Sequence, residues 1–294
     1  MDFGRIVTAM ATPFDEEGRI DFNRTERLVE HLLANGSDAL VVAGTTGESP
    51  TLTLSEKLSL FECVVGQVRG RVKVIAGTSN NDTETSVQFS REAAKVGIDG
   101  LLLVAPYYNK PSQEGMFQHF TRIAAAVDLP VMLYNVPGRT ASNLTPATVA
   151  RLAQLEPFVA LKEASGDLTQ MTQILLETQG DLLLYSGDDK LTLPILSIGG
   201  HGVVSVASHV VGPQMQRLVH AFLHGKVDEA ARLHRQLLAV FEVLFITSSP
   251  SPLKFLLNHI GVPVGSVRLP LVDPSADEKE QIVQTFTQLL KTSA

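Results

Sequence analysis

A lysine ends an apolar run in the middle of the chain. Lys162 closes the segment Phe-Val-Ala-Leu at 158–161, a run typical of a buried strand, and Glu163 follows it. Burying an ammonium group without a partner is costly, and burial favours the neutral amine. A neutral amine at the base of a pocket can condense with a ketone to form a Schiff base. The alternative is a lysine that extends its ammonium group from the strand end into water.

A glycine-rich turn follows an earlier apolar run. Residues 44–48 read Gly-Thr-Thr-Gly-Glu, directly after the run 39–43. The N–H groups and hydroxyls of such a turn can converge on a carboxylate or a phosphate. Thr45 and Thr46 are therefore candidate ligands for an anionic substrate. An ordinary glycine-containing loop is the alternative.

Tyrosines and an arginine follow two further apolar runs. Tyr107 and Tyr108, half of the chain's four tyrosines, come shortly after the run 101–104. Tyr134 ends the run 131–134, and Arg139 follows it. A phenol can carry protons, and a guanidinium offers a planar fork suited to a carboxylate. The alternatives are rings that pack on a loop or a neighbouring subunit, and a plain surface charge at Arg139.

These residues all belong to a repeating pattern of short apolar runs separated by amphipathic helical stretches. Continuous apolar runs indicate strands covered on both faces, which are typical of a parallel sheet. Their spacing of roughly 20–35 residues suits a strand followed by a crossover helix. The eight runs lie at residues 6–9, 39–43, 72–76, 101–104, 131–134, 159–162, 182–185 and 203–206.

Eight strand–helix units predict a (β/α)8 TIM barrel over residues 1–222. Helical patterns without further strands predict a C-terminal helical extension over 223–294. An open doubly wound sheet is the alternative, but the glycine-rich phosphate turn expected after its first strand is missing. Barrel active sites lie at the carboxyl ends of the strands. That end would gather Lys162, the turn 44–48, the tyrosines and Gly187, where a glycine lets backbone approach a ligand. The alternative for Asp188, which follows Gly187, is that it forms the N-cap of the next helix and has no role in the site.

Composition and charge argue against several other classes of protein. The 294-residue chain has a net charge of −7 and no run of Lys or Arg, which argues against a nucleic-acid surface. We find no secretory signal and no stretch long enough to span a membrane. Cys63 is the single cysteine, which fits a reducing cytoplasm. The eight histidines show no metal-ligand spacing, so no metal is expected.

With these motifs in place, the chain resembles the class I pyruvate-dependent aldolase family, which contains dihydrodipicolinate synthase and N-acetylneuraminate lyase. The resemblance covers essentially the whole chain. It depends on residues 44–48, on Tyr-Asn-Val-Pro at 134–137 and on Lys-Glu-Ala-Ser-Gly at 162–166. The segments 105–111, 138–140 and 187–189 are similar to those of the dihydrodipicolinate synthases. Arg139 belongs to this set, and sialate lyases lack an arginine there.

The resemblance implies a lyase that condenses pyruvate with L-aspartate-4-semialdehyde. The product would be 4-hydroxy-tetrahydrodipicolinate, at the branch point of lysine (diaminopimelate) biosynthesis, and no cofactor would be needed. Lys162 would form the Schiff base, and the Thr45–Thr46 turn would hold the pyruvate carboxylate. Tyr134 would transfer protons, linked through Thr45 to Tyr108 of a neighbouring subunit in a homotetramer.

The same resemblance assigns the other pocket residues. Arg139 would bind the semialdehyde carboxylate, and Val204 and Gly187 would line the pyruvate pocket. A related aldolase acting on a sugar acid or an aromatic aldehyde is the alternative enzyme. A pyruvate-binding paralogue without activity is the other alternative, but it would be expected to lose the lysine or the tyrosines.

Two departures from the family pattern are informative. Many synthases have Asn-Pro-Ile-Pro-(Val/Ile)-Lys near the end of the barrel, whereas this chain has Ser-Pro-Ser-Pro-Leu-Lys at 249–254. We therefore assign that segment no catalytic role. Lysine-inhibited members bind lysine with a serine, two histidines, an asparagine, a glutamate and a tyrosine. This chain matches that set at Ser49, Asn81 and Tyr107 and departs from it at Leu54, Lys57 and Thr85.

Overall fold

Eight parallel strands form a closed barrel in the computed structural model, which describes residues 2–293. Each strand pairs with the next, and β8 pairs with β1 to close the ring. The fold is therefore the predicted TIM barrel, and the open doubly wound sheet is excluded. The strands are β1 Ile6–Ala9, β2 Ala39–Val42, β3 Lys73–Gly77, β4 Gly100–Val104, β5 Val131–Asn135, β6 Phe158–Glu163, β7 Leu183–Ser186 and β8 Gly202–Ser205.

Helices follow the strands and form the outer layer. Several begin at a side chain that accepts a backbone N–H: Asp21 caps the first helix, and Thr53 and Glu56 form a capping box on the second. The helices are α1 Phe22–Ala34, α2 Leu54–Val68, α3 Thr83–Ala94, α4 Gln113–Ala124, α5 Pro137–Thr140, α6 Pro146–Ala153, α7 Leu168–Thr178, α8 Thr192–Ser197, α9 Ser208–Leu223, α10 Val227–Val243, α11 Ser251–His259 and α12 Ala276–Ser293.

The barrel separates two apolar clusters. The larger one fills the space between the strands and the surrounding helices. The smaller one fills the barrel interior, where alternate residues of each strand point inward. Met132 and Tyr134 of β5, Ala160 of β6 and Val204 of β8 belong to this inner cluster. The inner face of β6 continues from Ala160 to Lys162, two residues further along.

The last three helices form the C-terminal extension. α10 packs against α9 and α12, and α11 packs against α9 and α12. The proposed division of the chain at residues 222 and 223 stays a prediction; α9 ends at Leu223. None of the helices within residues 2–293 combines the length and the apolar character that crossing a membrane requires.

Candidate active site

Lys162 lies at the carboxyl end of β6 with its side chain in the barrel interior. Its neighbours in strand register are Tyr134 on β5 and Tyr185 on β7. Only 5% of its surface is exposed. The structure therefore excludes a lysine that extends into water, because the side chain is enclosed by the strands that flank it.

Gly187 makes room for the lysine side chain. A Cβ at this position would lie 3.2 Å from Lys162 Cε and 2.6 Å from the Cβ of Ala164. The backbone N–H of Gly187 donates to the carbonyl of Glu163 at 2.7 Å, which extends the β6–β7 ladder by one step. Gly187 therefore leaves space for the Lys162 side chain, and the expected approach of its backbone to a ligand stays a prediction.

Tyr134 contacts the lysine directly. The Nζ atom of Lys162 lies 4.3 Å from the centre of the Tyr134 ring, over its face. Both residues occupy inward positions on adjacent parallel strands, so their proximity follows from the strand register. Tyr134 is also largely buried, with 5% of its surface exposed. A phenol and an amine held this close can exchange protons with the same bound molecule.

The turn 44–48 follows the end of β2, and its residue Thr45 lines a cavity that Tyr134 also lines. Two residues with side chains adopt left-handed backbone angles around it, Ala43 with φ 52° and Glu48 with φ 55°. The turn lies so close to β3 that a Cβ at Gly77 would be 2.4 Å from the carbonyl oxygen of Ala43. The sequence therefore folds this segment into a compact, strained turn. Its role as an anion site stays a prediction.

A cavity of about 290 Å³ opens at this end of the barrel. Thr45, Tyr134 and Arg139 line it. Arg139 is exposed on the short helix α5, which directly follows β5. Lys162 does not line the cavity but contacts Tyr134, which does. The cavity is therefore lined by the cationic side chain of Arg139 and by the Tyr134 ring, and that ring contacts the amine of Lys162.

The remaining predicted residues fall into two groups. Thr46 is buried within the turn, and Val204 is buried in the inner cluster that contains Tyr134. Tyr108 is instead 90% exposed, in a left-handed backbone conformation with φ 72°. No hydrogen bond joins the hydroxyls of Tyr134, Thr45 and Tyr108 among residues 2–293, so that link stays a prediction.

A carboxylate next to the lysine was not assigned from the sequence. Glu163 is fully buried on the outer side of the barrel and accepts hydrogen bonds from Asn135 Nδ2 at 2.9 Å and from the N–H of Ser165 at 2.7 Å. Burial raises the pKa of Glu163, and these hydrogen bonds oppose that shift. Gln170 of α7 completes the network. The sequence feature that could have identified Glu163 is a glutamate directly after a lysine in an apolar strand.

A second buried carboxyl group fixes the loop after β8. Asp189 Oδ2 accepts the N–H groups of Val206 at 3.1 Å and Ala207 at 2.9 Å. Burial raises the pKa of Asp189 to about 6. The preceding residue, Asp188, accepts the N–H of Lys190 at 3.0 Å and caps a short 3₁₀ turn. This agrees with the N-cap role that the sequence offered for Asp188.

No cluster of three or more His, Cys, Asp or Glu side chains suited to a metal ion occurs in the part of the chain that the structure describes. The expectation that catalysis needs neither a metal nor an organic cofactor stays a prediction.

Known proteins match the sequence and the fold over nearly the full length of the chain. The model of the dihydrodipicolinate synthetase family matches residues 2–289. The chain belongs to this family. The expected membership of the pyruvate-dependent aldolases, and with it an enzymatic lyase, is confirmed.

Relatives within the family are close in sequence. The 4-hydroxy-tetrahydrodipicolinate synthase of Heliobacterium modesticaldum is 54% identical over 99% of this chain and 96% of its own length. The synthase of Bacillus subtilis is also 54% identical, over 98% of this chain and all of its own.

Solved structures agree. A dihydrodipicolinate synthase of Bacillus anthracis is 51% identical, with a TM-score of 0.96 over 98% of each chain. The enzyme of Cyanidioschyzon merolae, solved with lysine bound, is 50% identical, with the same TM-score and the same coverage.

Proposed function

We infer that this member of the dihydrodipicolinate synthetase family condenses pyruvate with L-aspartate-4-semialdehyde to 4-hydroxy-tetrahydrodipicolinate. The reaction belongs to diaminopimelate and lysine biosynthesis. The observation that carries the proposal is the buried Lys162 against Tyr134 in a barrel whose full-length relatives are synthases of this product.

The chemistry begins on the lysine. The amine of Lys162 attacks the pyruvate ketone, and loss of water gives the Schiff base. Loss of a proton from the pyruvate methyl group then gives an enamine, whose carbon attacks the aldehyde of the second substrate. The amino group of that substrate attacks the imine carbon, which closes the ring and frees Lys162. One water leaves for each product formed.

The residues around Lys162 are assigned to substrate binding and proton transfer. We propose that the Thr45–Thr46 turn binds the pyruvate carboxylate and that Tyr134 moves protons at the Schiff base. Val204 and Gly187 shape the pocket around the small ketoacid. The compact turn, the 4.3 Å contact with Tyr134 and the space left by Gly187 support these roles.

Tyr108 is proposed to act in the site of a neighbouring subunit within a homotetramer. Tyr108 is 90% exposed and Tyr107 beside it is 38% exposed, so two aromatic rings lie together at the surface. Tyrosine is enriched where proteins associate, because its ring is buried while its hydroxyl is bonded. Exposure of this pair supports an interface at this face of the barrel.

A panel of aldehydes tests which second substrate the enzyme uses. The purified protein is incubated with pyruvate and, separately, with L-aspartate-4-semialdehyde, N-acetylmannosamine or a sugar-acid aldehyde, and pyruvate consumption is measured. Consumption with the semialdehyde alone supports the proposal. Consumption with N-acetylmannosamine alone would favour a lyase of the sialate type, which is the alternative. Arg139 argues against that alternative because it suits a small charged partner.

Arg139→Ala is expected to weaken use of the semialdehyde. Loss of a charge-assisted contact costs about 1.5–3 kcal/mol, so kcat/KM for the semialdehyde should fall by about 10- to 150-fold. Binding of pyruvate, measured by borohydride trapping, should be unchanged. Arg232→Ala, on α10, is the control. Equal losses for both substrates would mean that Arg139 supports the fold or the pyruvate site instead.

L-Lysine at millimolar concentration is expected to inhibit weakly or not at all. Lys57 lines the cavity near Ser49 and Tyr107, and no ion pair to Lys57 occurs within residues 2–293. Burial lowers the pKa of Lys57, whose Nζ lies 5.6 Å from the centre of the Phe89 ring. A cation here opposes the ammonium groups of a lysine ligand, and Thr85 supplies no anion to replace the family glutamate.

Steady-state assays with and without lysine check this expectation. Strong, saturable inhibition by lysine at concentrations below about 1 mM would show that other residues of this chain bind lysine at the site.

A cytoplasmic location is also part of the proposal, supported by a biosynthetic role and a single, unpaired cysteine.

A further inference from the structure

A buried ion pair connects the C-terminal extension to the glycine-rich turn. Lys254 of α11 and Glu48, the last residue of the turn, are joined by a 2.9 Å contact between Nζ and Oε1. Their side chains are 1% and 0% exposed. Two charges are rarely buried in this way, because each loses its hydration. Such a pair needs further hydrogen bonds on both partners.

Those hydrogen bonds all lead to the turn or to the segment beside it. Lys254 Nζ also donates to the carbonyl of Thr12 at 2.9 Å, and it lies 4.1 Å from the centre of the Phe14 ring. The hydroxyl of Thr12 in turn donates to the carbonyl of Gly47 at 2.7 Å. The lysine therefore holds the turn twice, once through Glu48 and once through Thr12.

Arg268 closes the other side of Glu48. Its backbone N–H donates to Glu48 Oε2 at 2.8 Å. Its guanidinium group donates to the carbonyls of Gly18 at 2.7 Å and of Thr51, which follows the turn, at 2.8 Å. Both carboxylate oxygens of Glu48 are thus bound by the C-terminal extension. We name the Lys254–Glu48 pair with the N–H of Arg268 the clasp.

The clasp acts on a turn that belongs to no strand or helix. Glu48 has a left-handed backbone, with φ 55°, which costs free energy for a residue with a Cβ. The neighbouring Thr45 faces the cavity, whereas Lys254 does not line it. A change in Lys254 would therefore reach a bound molecule only through the turn.

We propose that Lys254 is a positioning residue for the carboxylate of the ketoacid substrate, acting through Glu48 on the Thr45–Thr46 turn. This inference depends on the proposed function, since it assigns the turn to pyruvate. It gives the C-terminal extension a role in substrate affinity that the motif at 249–254 did not indicate. The expected signature is a change in pyruvate affinity that is separate from the chemical step.

The test compares Lys254→Met, Glu48→Gln and the double variant with the wild-type enzyme. In Lys254→Met and Glu48→Gln, KM for pyruvate should rise about tenfold, the effect of losing one charge-assisted bond, with kcat changed by less than about threefold. KM for the semialdehyde should be unchanged. The two substitutions should be non-additive in the double variant, because both break one pair. Lys73→Met, which breaks the exposed pair with Asp99 at the opposite end of the barrel, should change neither constant.

A merely structural role gives a different result. In that case Lys254→Met would unfold at lower temperature and lose active enzyme, with KM for pyruvate unchanged in the folded fraction, and the proposal would be wrong. Should Lys254→Met fail to fold, Glu48→Gln retains the side-chain volume and an oxygen acceptor, and it decides the question alone. A wild-type protein that does not bind pyruvate would instead contradict the proposed function.

Discussion

Replacing Lys162 by arginine is expected to abolish condensation, lowering kcat/KM by at least about a thousandfold, as loss of a covalent catalyst does. Arginine keeps a positive charge and much of the volume, but its guanidinium group stays protonated and does not form the Schiff base. Lys162→Ala should lose activity to the same extent. The measurement is steady-state pyruvate consumption with the semialdehyde.

The control for this loss is Lys73→Arg at the start of β3, on the face of the barrel remote from the site. Its activity should equal that of the wild type. Thermal unfolding of the Lys162 variants should remain cooperative, because each substitution changes one inward side chain in an otherwise intact barrel. Substantial activity in folded Lys162→Arg would mean that another group carries the chemistry.

Tyr108→Phe and Lys162→Ala subunits, each inactive alone, should recover activity when mixed and allowed to exchange. In a symmetric dimer whose sites each borrow Tyr108 from the partner, a mixed pair contains one intact site. Random exchange of equal amounts then restores up to about a quarter of the sites. The 90% exposure of Tyr108 motivates the experiment, since its hydroxyl has no partner residue within the described part of its own chain.

A matched mixture separates the two arrangements. Tyr134 contacts Lys162 within one barrel, so mixing Tyr134→Phe with Lys162→Ala should restore nothing. Exchange is shown independently, by mass measurement of mixed assemblies. No recovery in the Tyr108 mixture despite exchange would place Tyr108 in the site of its own subunit or make it dispensable.

Much of the fold could be predicted because its signals are local. Each strand is a short apolar run, and several helices begin at a capping residue such as Asp21 or Thr53. The position of Lys162 could be predicted for the same reason, since alternation along β6 places it on the inner face with Ala160. The rule that barrel sites lie at the carboxyl ends of strands then selected the turn and Tyr134.

The rest depends on contacts between distant parts of the chain. Glu48 and Lys254 are separated by 206 positions, and no periodicity or motif indicates that they meet. The bonds from Asp189 to the loop after β8 likewise depend on how the barrel closes. Tyr108 is a third case, because its role depends on a second subunit.

Borohydride trapping with pyruvate identifies the residue that forms the Schiff base. The enzyme is incubated with pyruvate, reduced and digested, and the modified peptide is identified by mass. We expect one pyruvate-derived adduct per chain, on the peptide that contains Lys162, and none in Lys162→Ala. An adduct on Lys73, or on the exposed Lys110 in the loop after β4, or no adduct on the wild-type enzyme, would contradict the assignment of Lys162.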